Sequence, residues 1–414
     1  MPPVAENFVP DTVHGFPTES PFNIEWLLDS LREKDDQFQK IARGRTIENI
    51  NCVDVSQGKG YISTVYNASI KFVDVEEPYQ VILKLPGAEA LNGNAANTTG
   101  VEMVPKEAVA VAHNKECGFY NDYAPHLDIP LPKVYKAVEM SLEKPGALLM
   151  ESLVGRGESC CLQTGSTKQQ VMIIAKHLTT LYKYSLCLPE EKWRGKYAKN
   201  TLCSLVKEGI FEDQVKKLKA WKPGAFDKAL DVFGKYACSE SFYTYLMTDV
   251  YKDIGLPPVL THGDLWSNNL LWKTNADGSL SNELLAIIDW QVFHEGCITN
   301  DMARYMAVCV DGDVRREHQY AVLRYMYERL ACLLEEEGRH IDFTFEQMKQ
   351  AYEANFVGHS LMVMIMIPFA FTDDGWTPEE APIKLAQREK VLTRIQLAIE
   401  DSLEYFKNIP KDKL

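Results

Sequence analysis

Residues 261–269 read THGDLWSNN, and residues 287–290 read IIDW. Asn269 follows Asp264 by five residues, which is the spacing of a catalytic loop whose aspartate accepts a hydroxyl proton and whose asparagine binds Mg²⁺. Asp289 ends an apolar run and can supply a second oxygen ligand to the metal. An Asp and an Asn in a loop are more often turn residues, but the two motifs in this order predict phosphoryl transfer to an alcohol.

A predicted hairpin joins the two motifs. Two apolar runs within Leu270–Trp290 flank Asn275-Ala276-Asp277-Gly278, which is a turn signal. Beyond residue 165 the rest of the chain is predicted to be mainly helical, because apolar residues recur there at helical spacing. Long amphipathic helices are predicted over Glu317–Glu337, Phe345–Ile367 and Ile383–Phe406.

Short β-branched and aromatic runs dominate the first half and predict a small antiparallel sheet. Helices are predicted from Ile24 to Leu31 and from Pro105 to Tyr123, and the small polar residues 87–100 predict a mobile loop. The predicted strands cover Asn51–Val55, Val65–Val73, Gln80–Leu85, Lys133–Met140 and Ala147–Glu151.

Together these patterns predict an α+β fold of two lobes, and 414 residues suffice for it. Residues 1–21 are rich in proline without periodicity and predict a flexible N-terminal arm. Residues 22–152 form the predicted nucleotide-binding lobe, and residues 153–414 form the lobe for catalysis and substrate binding. The junction is predicted near Glu151–Gly157.

Charge and composition exclude several classes of partner. The net charge of −14 and the pI near 5.2 argue against nucleic acid as a binding partner. They are compatible with a cationic small substrate, and they also favour solubility.

The longest apolar run, Leu361–Phe371, contains Pro368 and is shorter than the roughly 20 residues of a membrane span. Without a signal-peptide pattern before Arg32, a cytoplasmic location is expected. The ten cysteines lack a Cys-x-x-Cys pair and are expected to be reduced thiols rather than zinc ligands.

A phosphate-binding loop is predicted at residues 58–65, which read GKGYISTV. They follow the pattern G-x-G-x-x-G-x-V, with Ser63 in place of the third glycine. Gly58 and Gly60 would let the backbone approach phosphate oxygens closely, although most Gly-x-Gly pairs are simple turns. The chain has no Walker A sequence, which disfavours a P-loop NTPase.

The pattern His-Gly-Asp-x-x-x-x-Asn followed by Ile-Asp-Trp resembles the small-molecule kinase group that contains aminoglycoside phosphotransferases and choline kinases. Residues 261–273, THGDLWSNNLLWK, are most similar to the ecdysteroid-kinase-like or CHK-kinase-like family of animals. The resemblance covers roughly residues 45–400 and implies a protein-kinase-like bilobal fold, ATP and Mg²⁺ as cofactors, and a small-molecule alcohol as substrate. It makes Asp264 the catalytic base, with His262 in support, and Asn269 and Asp289 the metal ligands.

Lys84 lies in an apolar strand and could point outward by simple alternation; the resemblance makes it the lysine that contacts the α- and β-phosphates. Glu116 lies on a predicted apolar helix stripe, where a carboxylate is costly unless it is paired. Lys84 is its natural counter-ion, and Glu107 is the alternative partner. The stripe consists of Ala112, Glu116, Phe119 and Tyr123.

Two further predictions, for residues 148–153 and for Asp301, each compete with a purely structural role. Residues 148–153 resemble the hinge that meets adenine in this fold, with Met150, Glu151 and Leu153 in the nucleotide site, but they could be a plain strand end. Asp301 could cap the helix that follows it, whereas the resemblance implies that it supports the backbone of the catalytic loop.

The sequence defines the acceptor less narrowly than the nucleotide and the metal. A steroid-like, choline-like or amino-sugar alcohol is compatible, and the family resemblance favours a lipophilic, steroid-like one. Trp266, Trp290 and Trp376 could bind a quaternary ammonium group through their rings or simply pack in the core.

The sequence favours a small-molecule kinase over two other classes of protein. A pseudokinase would act as a nucleotide-binding regulatory scaffold, but it usually lacks one of the residues that correspond to Asp264, Asn269, Asp289 and Lys84. A kinase of proteins is disfavoured because the Arg of His-Arg-Asp, the Asp-Phe-Gly triplet and the Ala-Pro-Glu segment are missing.

Overall fold

The computed structural model of the chain describes residues 13–17, 20–56, 62–88, 104–206, 208–371 and 376–414. The chain divides into two compact units. The first unit comprises Met1–His126 and Leu131–Arg156, and the second comprises Leu127–Pro130 and Gly157–Leu414.

The first unit is built on a sheet whose described strands run in the order β1-β2-β3-β4-β6-β5. Strands β2 to β6 pair antiparallel with their neighbours, as predicted, and only β1 pairs parallel. The predicted β-branched runs therefore do form the sheet. The strands are β1 (Val13–His14), β2 (Ile47–Asp54), β3 (Ser63–Phe72), β4 (Tyr79–Pro86), β5 (Val134–Val138) and β6 (Ala147–Glu151).

Strand β1 comes from the segment that the sequence predicted as a flexible arm. Val13 pairs with Ile50 of β2, and the half-buried Phe16 packs against the core. Gly15 between them has φ +66°, and a Cβ there would lie 2.2 Å from the carbonyl oxygen of Cys52, so glycine is required for this close approach. Residues 13–17 are thus attached to the sheet, which corrects the prediction for that part; residues 1–12 and 18–19 lie outside the described residues.

Helices cover one face of this sheet. Helix α1 (Ile24–Lys34) begins where Asn23 Oδ1 accepts a hydrogen bond from the Trp26 amide at 2.9 Å, and α2 (Asp36–Ala42) follows it. Their apolar residues pack against those of β2 to β4, including Val81. Because side chains alternate along a strand, Lys84 lies on the opposite face of β4, on the side of α3 (Lys106–Gly118).

The second unit is mainly helical and contains short strands. Strands β9 and β10 form the predicted hairpin, with the turn at Asn275–Ser279, and β8 pairs with β11. The strands are β7 (Gly157–Ser159), β8 (Val259–Thr261), β9 (Leu270–Thr274), β10 (Leu280–Ile287) and β11 (His294–Gly296). The helices are α4 (Lys168–Cys187), α5 (Glu208–Trp221), α6 (Asp227–Phe233), α7 (Glu240–Thr244), α8 (Val250–Ile254), α9 (Asn300–Cys309), α10 (Gly312–Glu335), α11 (Phe345–Met366) and α12 (Ala381–Tyr405).

Helix α11 forms the centre of the second unit. A capping box of Thr344 and Gln347 starts it, nearly all its residues from Ala351 to Ile365 are buried, and Pro368 follows in a 3₁₀ turn. Helices α9 and α12 pack against it. The predicted α+β class, with a sheet-rich first unit and a mainly helical second unit, is confirmed. Within the described part of the chain, the helices are too short or too polar to cross a membrane.

Candidate active site

The loop between β8 and β9 carries the residues predicted to be catalytic. Thr261, at the end of β8, is fully buried. The loop then turns at Gly263, where φ is +83° and a Cβ would lie 2.5 Å from the Val292 carbonyl oxygen and 2.7 Å from His294 Nδ1. Glycine is therefore the residue that fits this turn, and the turn sets the position of Asp264.

Asp301, in the first turn of α9, holds this loop by its backbone. Its carboxylate accepts hydrogen bonds from the amides of His262 at 2.9 Å and Gly263 at 2.8 Å, and from the Tyr182 hydroxyl at 3.4 Å. Burial raises its pKa, which these partners oppose. Its carboxylate therefore supports the loop, as the resemblance implied, rather than merely capping the helix.

His262 links the loop to the segment that carries Asp289. Its Nε2 lies 2.9 Å from the carbonyl oxygen of Ile288, and its Nδ1 accepts a hydrogen bond from the Asp264 amide at 3.2 Å. A carbonyl can only accept and an amide N–H can only donate, so the ring is the neutral tautomer with the proton on Nε2. His262 thus fixes Asp264 and Asp289 relative to each other.

Asp289 adopts an unusual backbone conformation. With φ 66° and ψ 65° it is the only non-glycine residue with positive φ in the described part of the chain. Aspartate tolerates this region better than most residues, and strained backbone tends to persist where function requires it. The conformation turns the chain sharply after the apolar strand β10.

Asn269 contributes one side-chain atom to the loop and leaves the other for a ligand. Its Nδ2 donates to the Asp264 carbonyl oxygen at 2.8 Å and lies 3.4 Å from Asp264 Oδ2. The amide oxygen is therefore the atom that can bind a cation. In the described ranges there is no group of three or more His, Cys, Asp or Glu residues that could hold a metal. One amide and one carboxylate oxygen suit Mg²⁺, which keeps several waters and binds phosphate oxygens.

Arg304 is a site residue that the sequence reading missed. From α9 its Nη2 donates a hydrogen bond to Asp264 Oδ1, and the two side chains are only 12% and 20% exposed. Burial raises the pKa of Asp264, the Arg304 charge opposes that shift, and the negative charge of Asp289 adds to it. Arg304 follows Asp301 by three residues on the helix, so helical spacing from Asp301 was the signal that could have found it.

Lys84 and Glu116 form a buried ion pair in the first unit. Lys84 Nζ lies 2.7 Å from Glu116 Oε2, with side-chain exposures of 9% and 1%. Glu116 shares its buried helix stripe with Ala112 and Phe119. The partner of Lys84 is thus Glu116, whereas Glu107 is exposed in the first turn of α3.

Breaking this pair is expected to destabilise the first unit. Lys84→Met removes the cation and leaves Glu116 buried, which costs up to about 3–5 kcal/mol of unfolding free energy. The double variant Lys84→Met/Glu116→Gln should recover part of that loss, because the buried negative charge is gone as well. Urea unfolding of wild type, Lys84→Met, Glu116→Gln and the double variant measures this coupling.

Glu107→Gln is the matched control, since Glu107 is an exposed residue of the same helix. It should leave the unfolding free energy within about 0.5 kcal/mol of wild type. Equal stability of Lys84→Met and wild type would show that the pair contributes nothing.

The other predicted nucleotide-site residues also lie in the first unit. Ser63 begins β3 and is buried, and Met150 and Leu153 are buried at and after the end of β6. The Glu151 carboxylate has partners within the unit. Its Oε1 accepts a hydrogen bond from the Lys133 amide at 2.8 Å, and its Oε2 forms an ion pair with Arg156 at 2.6 Å. Gly58 and Gly60 lie outside the described residues.

The three tryptophans differ in exposure. Trp290 is fully buried, packs on the His262 ring with centroids 4.6 Å apart and donates to the Ile287 carbonyl oxygen at 3.2 Å. It is a core residue, which is the packing alternative that the sequence left open. Trp376 is half-exposed with Arg388 over its ring, and Trp266 is half-buried in the catalytic loop.

A family model described as "Uncharacterized oxidoreductase dhs-27" matches residues 35–409. The chain belongs to this family. One curated relative is the Caenorhabditis elegans protein named "Uncharacterized oxidoreductase dhs-27". This chain is 27% identical to it, and the match covers 84% of this chain and 43% of that protein. The chain is also 21% identical to an uncharacterized kinase-like protein of C. elegans, over 67% of the chain and 70% of that protein. The chain therefore spans less than half the length of the first of these relatives.

Solved structures similar to this dhs-27 family member include small-molecule phosphotransferases. One is a mutant of aminoglycoside 2'-phosphotransferase-IIIa in complex with GDP, with a TM-score of 0.44, 14% identity, and coverage of 90% of this chain and 97% of that one. Another is the ethanolamine kinase of Plasmodium vivax, with a TM-score of 0.38, 15% identity, and coverage of 84% of each chain.

Proposed function

We propose that the protein transfers a phosphoryl group from ATP to the hydroxyl of a small molecule. The observation that carries the proposal is the organisation of one loop in the second unit. Asp301 holds the loop through two backbone amides, and His262 ties it to the residue before Asp289. Asp264, Asn269 and Asp289 are thereby fixed in one constellation, whose residue types suit phosphoryl transfer.

Asp264 is the proposed proton acceptor. Arg304 binds its Oδ1, whereas Oδ2 has the long 3.4 Å contact with Asn269 Nδ2, so Oδ2 is the atom proposed to receive the acceptor hydroxyl. A carboxylate in this role orients the hydroxyl and takes its proton as the new bond forms. His262 supports Asp264 by accepting a hydrogen bond from its backbone amide. Asp301 supports it indirectly, because it holds the backbone of the loop.

The oxygen atoms of Asn269 and Asp289 would hold Mg²⁺. When bound, Mg²⁺ neutralises charge on the transferring phosphates. Lys84, held by Glu116, is proposed to contact the phosphates. The remaining proposed nucleotide contacts are Gly58, Gly60, Ser63, Met150, Glu151 and Leu153.

We further propose that the chain is a CHK-kinase-like or ecdysteroid-kinase-like protein. The string at residues 261–273 supports this placement, and the kinase-like name of one relative agrees with it. The oxidoreductase name is carried by the family model and by a relative of which only 43% is matched. The retained Asp264, Asn269, Asp289 and Lys84 favour an active enzyme over a nucleotide-binding scaffold.

A screen with labelled ATP tests the proposal. Sterols, amino alcohols, amino sugars and nucleosides would be offered as acceptors with Mg²⁺. We expect transfer to at least one alcohol, and loss of transfer in excess EDTA, because the metal ligands are oxygens. Full turnover in EDTA with an authentic acceptor would contradict the metal assignment, and absence of both ATP binding and transfer would contradict the function.

A further inference from the structure

Arg304 stands beside the carboxylate assigned as the proton acceptor. We propose that Arg304 orients Asp264 and makes the acceptor site favour neutral or anionic alcohols over cationic ones. The proposal rests on the phosphotransferase function and narrows its substrate class. It separates the steroid-like alcohols from the choline-like and amino-sugar alcohols, which the catalytic motif alone leaves equally possible.

Helix α9 positions both the catalytic loop and the Asp264 carboxylate. Helix α9 carries both Asp301, which holds the loop backbone, and Arg304, which binds Asp264 Oδ1. The guanidinium is mostly buried, so it has little freedom to move away. One helix thus holds the loop backbone and binds Oδ1 of its carboxylate, which leaves Oδ2 for the acceptor hydroxyl.

The positive charge of Arg304 disfavours a cationic acceptor. In an amino alcohol or amino sugar the ammonium lies close to the reacting hydroxyl and needs a nearby counter-ion. Arg304 already balances the charge of Asp264, and its guanidinium would repel the ammonium of any alcohol that reaches Asp264. A neutral alcohol avoids this repulsion, and a carboxylate or phosphate group would gain charge-assisted hydrogen bonds.

The polar groups around Arg304 also favour a neutral or anionic acceptor. Asn300 precedes Arg304 by four residues on the same face of α9, and its Oδ1 lies 2.8 Å from His359 Nε2. Within the described residues, Asn300 Nδ2 and Arg304 Nε and Nη1 have no hydrogen-bond partner although they are buried. Such N–H groups are satisfied by ordered water or by ligand oxygens. This donor-rich environment suits oxygen atoms rather than an ammonium group.

The charge preference is tested with glucosamine, glucose and glucuronate, which share a six-membered ring and differ in charge. They would be assayed as acceptors and as inhibitors of the slow transfer from ATP to water. Wild type should favour glucose and glucuronate over glucosamine by at least about 10-fold, Arg304→Lys should keep that preference, and Arg304→Glu should reverse it. A wild-type preference for glucosamine, or the same ratio in Arg304→Glu, would overturn the proposal.

The positioning role is tested with Arg304→Gln. It should lower kcat by about 10- to 100-fold, as expected when a reacting group is misplaced, without changing ATP affinity in calorimetry, and Arg304→Lys should restore most of the rate. Arg316→Gln, an exposed arginine of α10, is the control and should match wild type. Wild-type kcat in Arg304→Gln would refute the positioning role.

A third measurement separates this proposal from the proposed function. If wild type neither binds nor uses ATP, the function fails. The pair itself is then judged by a double-mutant cycle of Asp264→Asn and Arg304→Gln in urea unfolding. Additive effects would overturn the inference for Arg304, and a coupling of about 3-fold or more in the unfolding equilibrium would support it.

Discussion

Asp264→Asn is expected to lower turnover by about 10²–10⁴-fold, the usual contribution of a general base, while ATP–Mg²⁺ affinity stays within about 2-fold of wild type. Asparagine is nearly isosteric, and its amide oxygen can still accept the hydrogen bond from Arg304 that Oδ1 accepts now. The bond from Asn269 goes to the backbone oxygen of residue 264 and is preserved. The variant therefore loses proton acceptance without losing the loop.

Turnover with one accepted alcohol and calorimetric nucleotide affinity would be measured on the same preparation. Asp277→Asn is the matched control, because Asp277 lies in the exposed turn of the β9–β10 hairpin and carries the same charge. It should behave as wild type in both assays. Wild-type turnover by Asp264→Asn would remove the catalytic assignment and with it the proposed function.

The architecture was largely predictable because it depends on local patterns. The hairpin turn at Asn275–Gly278 and the three long helices of the second unit follow from turn residues and helical periodicity, and the structure confirms them within a few residues. Strand β1 was not predictable. It is held by pairing with β2 and by a close approach at Gly15, neither of which a two-residue strand signals in its own sequence.

The candidate site was also only partly predictable from the sequence. The position of Glu116 on a predicted apolar helix stripe indicated the partner of Lys84, because a buried glutamate needs a cation. The contacts of Arg304 and His262 were not predicted, since they depend on where α9 and the Ile288 carbonyl lie relative to the loop. The sequence left two roles open for Trp290, because its place beside a catalytic motif does not determine which way its ring points; the ring is buried.

Asp289→Asn is expected to weaken binding of the Mg²⁺–ATP complex by at least about 10-fold, because even groups behind the direct ligands of a metal contribute that much to affinity. Asparagine also tolerates positive φ, so the backbone conformation of residue 289 should survive. Asp289→Ala would confound the result, since a residue without a short polar side chain adds strain of about 1–3 kcal/mol there.

Calorimetry with and without Mg²⁺ separates the metal from the nucleotide. Affinity for ATP in EDTA should be equal in Asp289→Asn and wild type, whereas the gain that Mg²⁺ gives to wild type should be largely lost in the variant. Asp264→Asn should keep that gain, so the two variants should differ in binding although both lose turnover. If Mg²⁺ strengthens ATP binding equally in Asp289→Asn and wild type, Asp289 is not a metal ligand, and its strained conformation serves only the turn after β10.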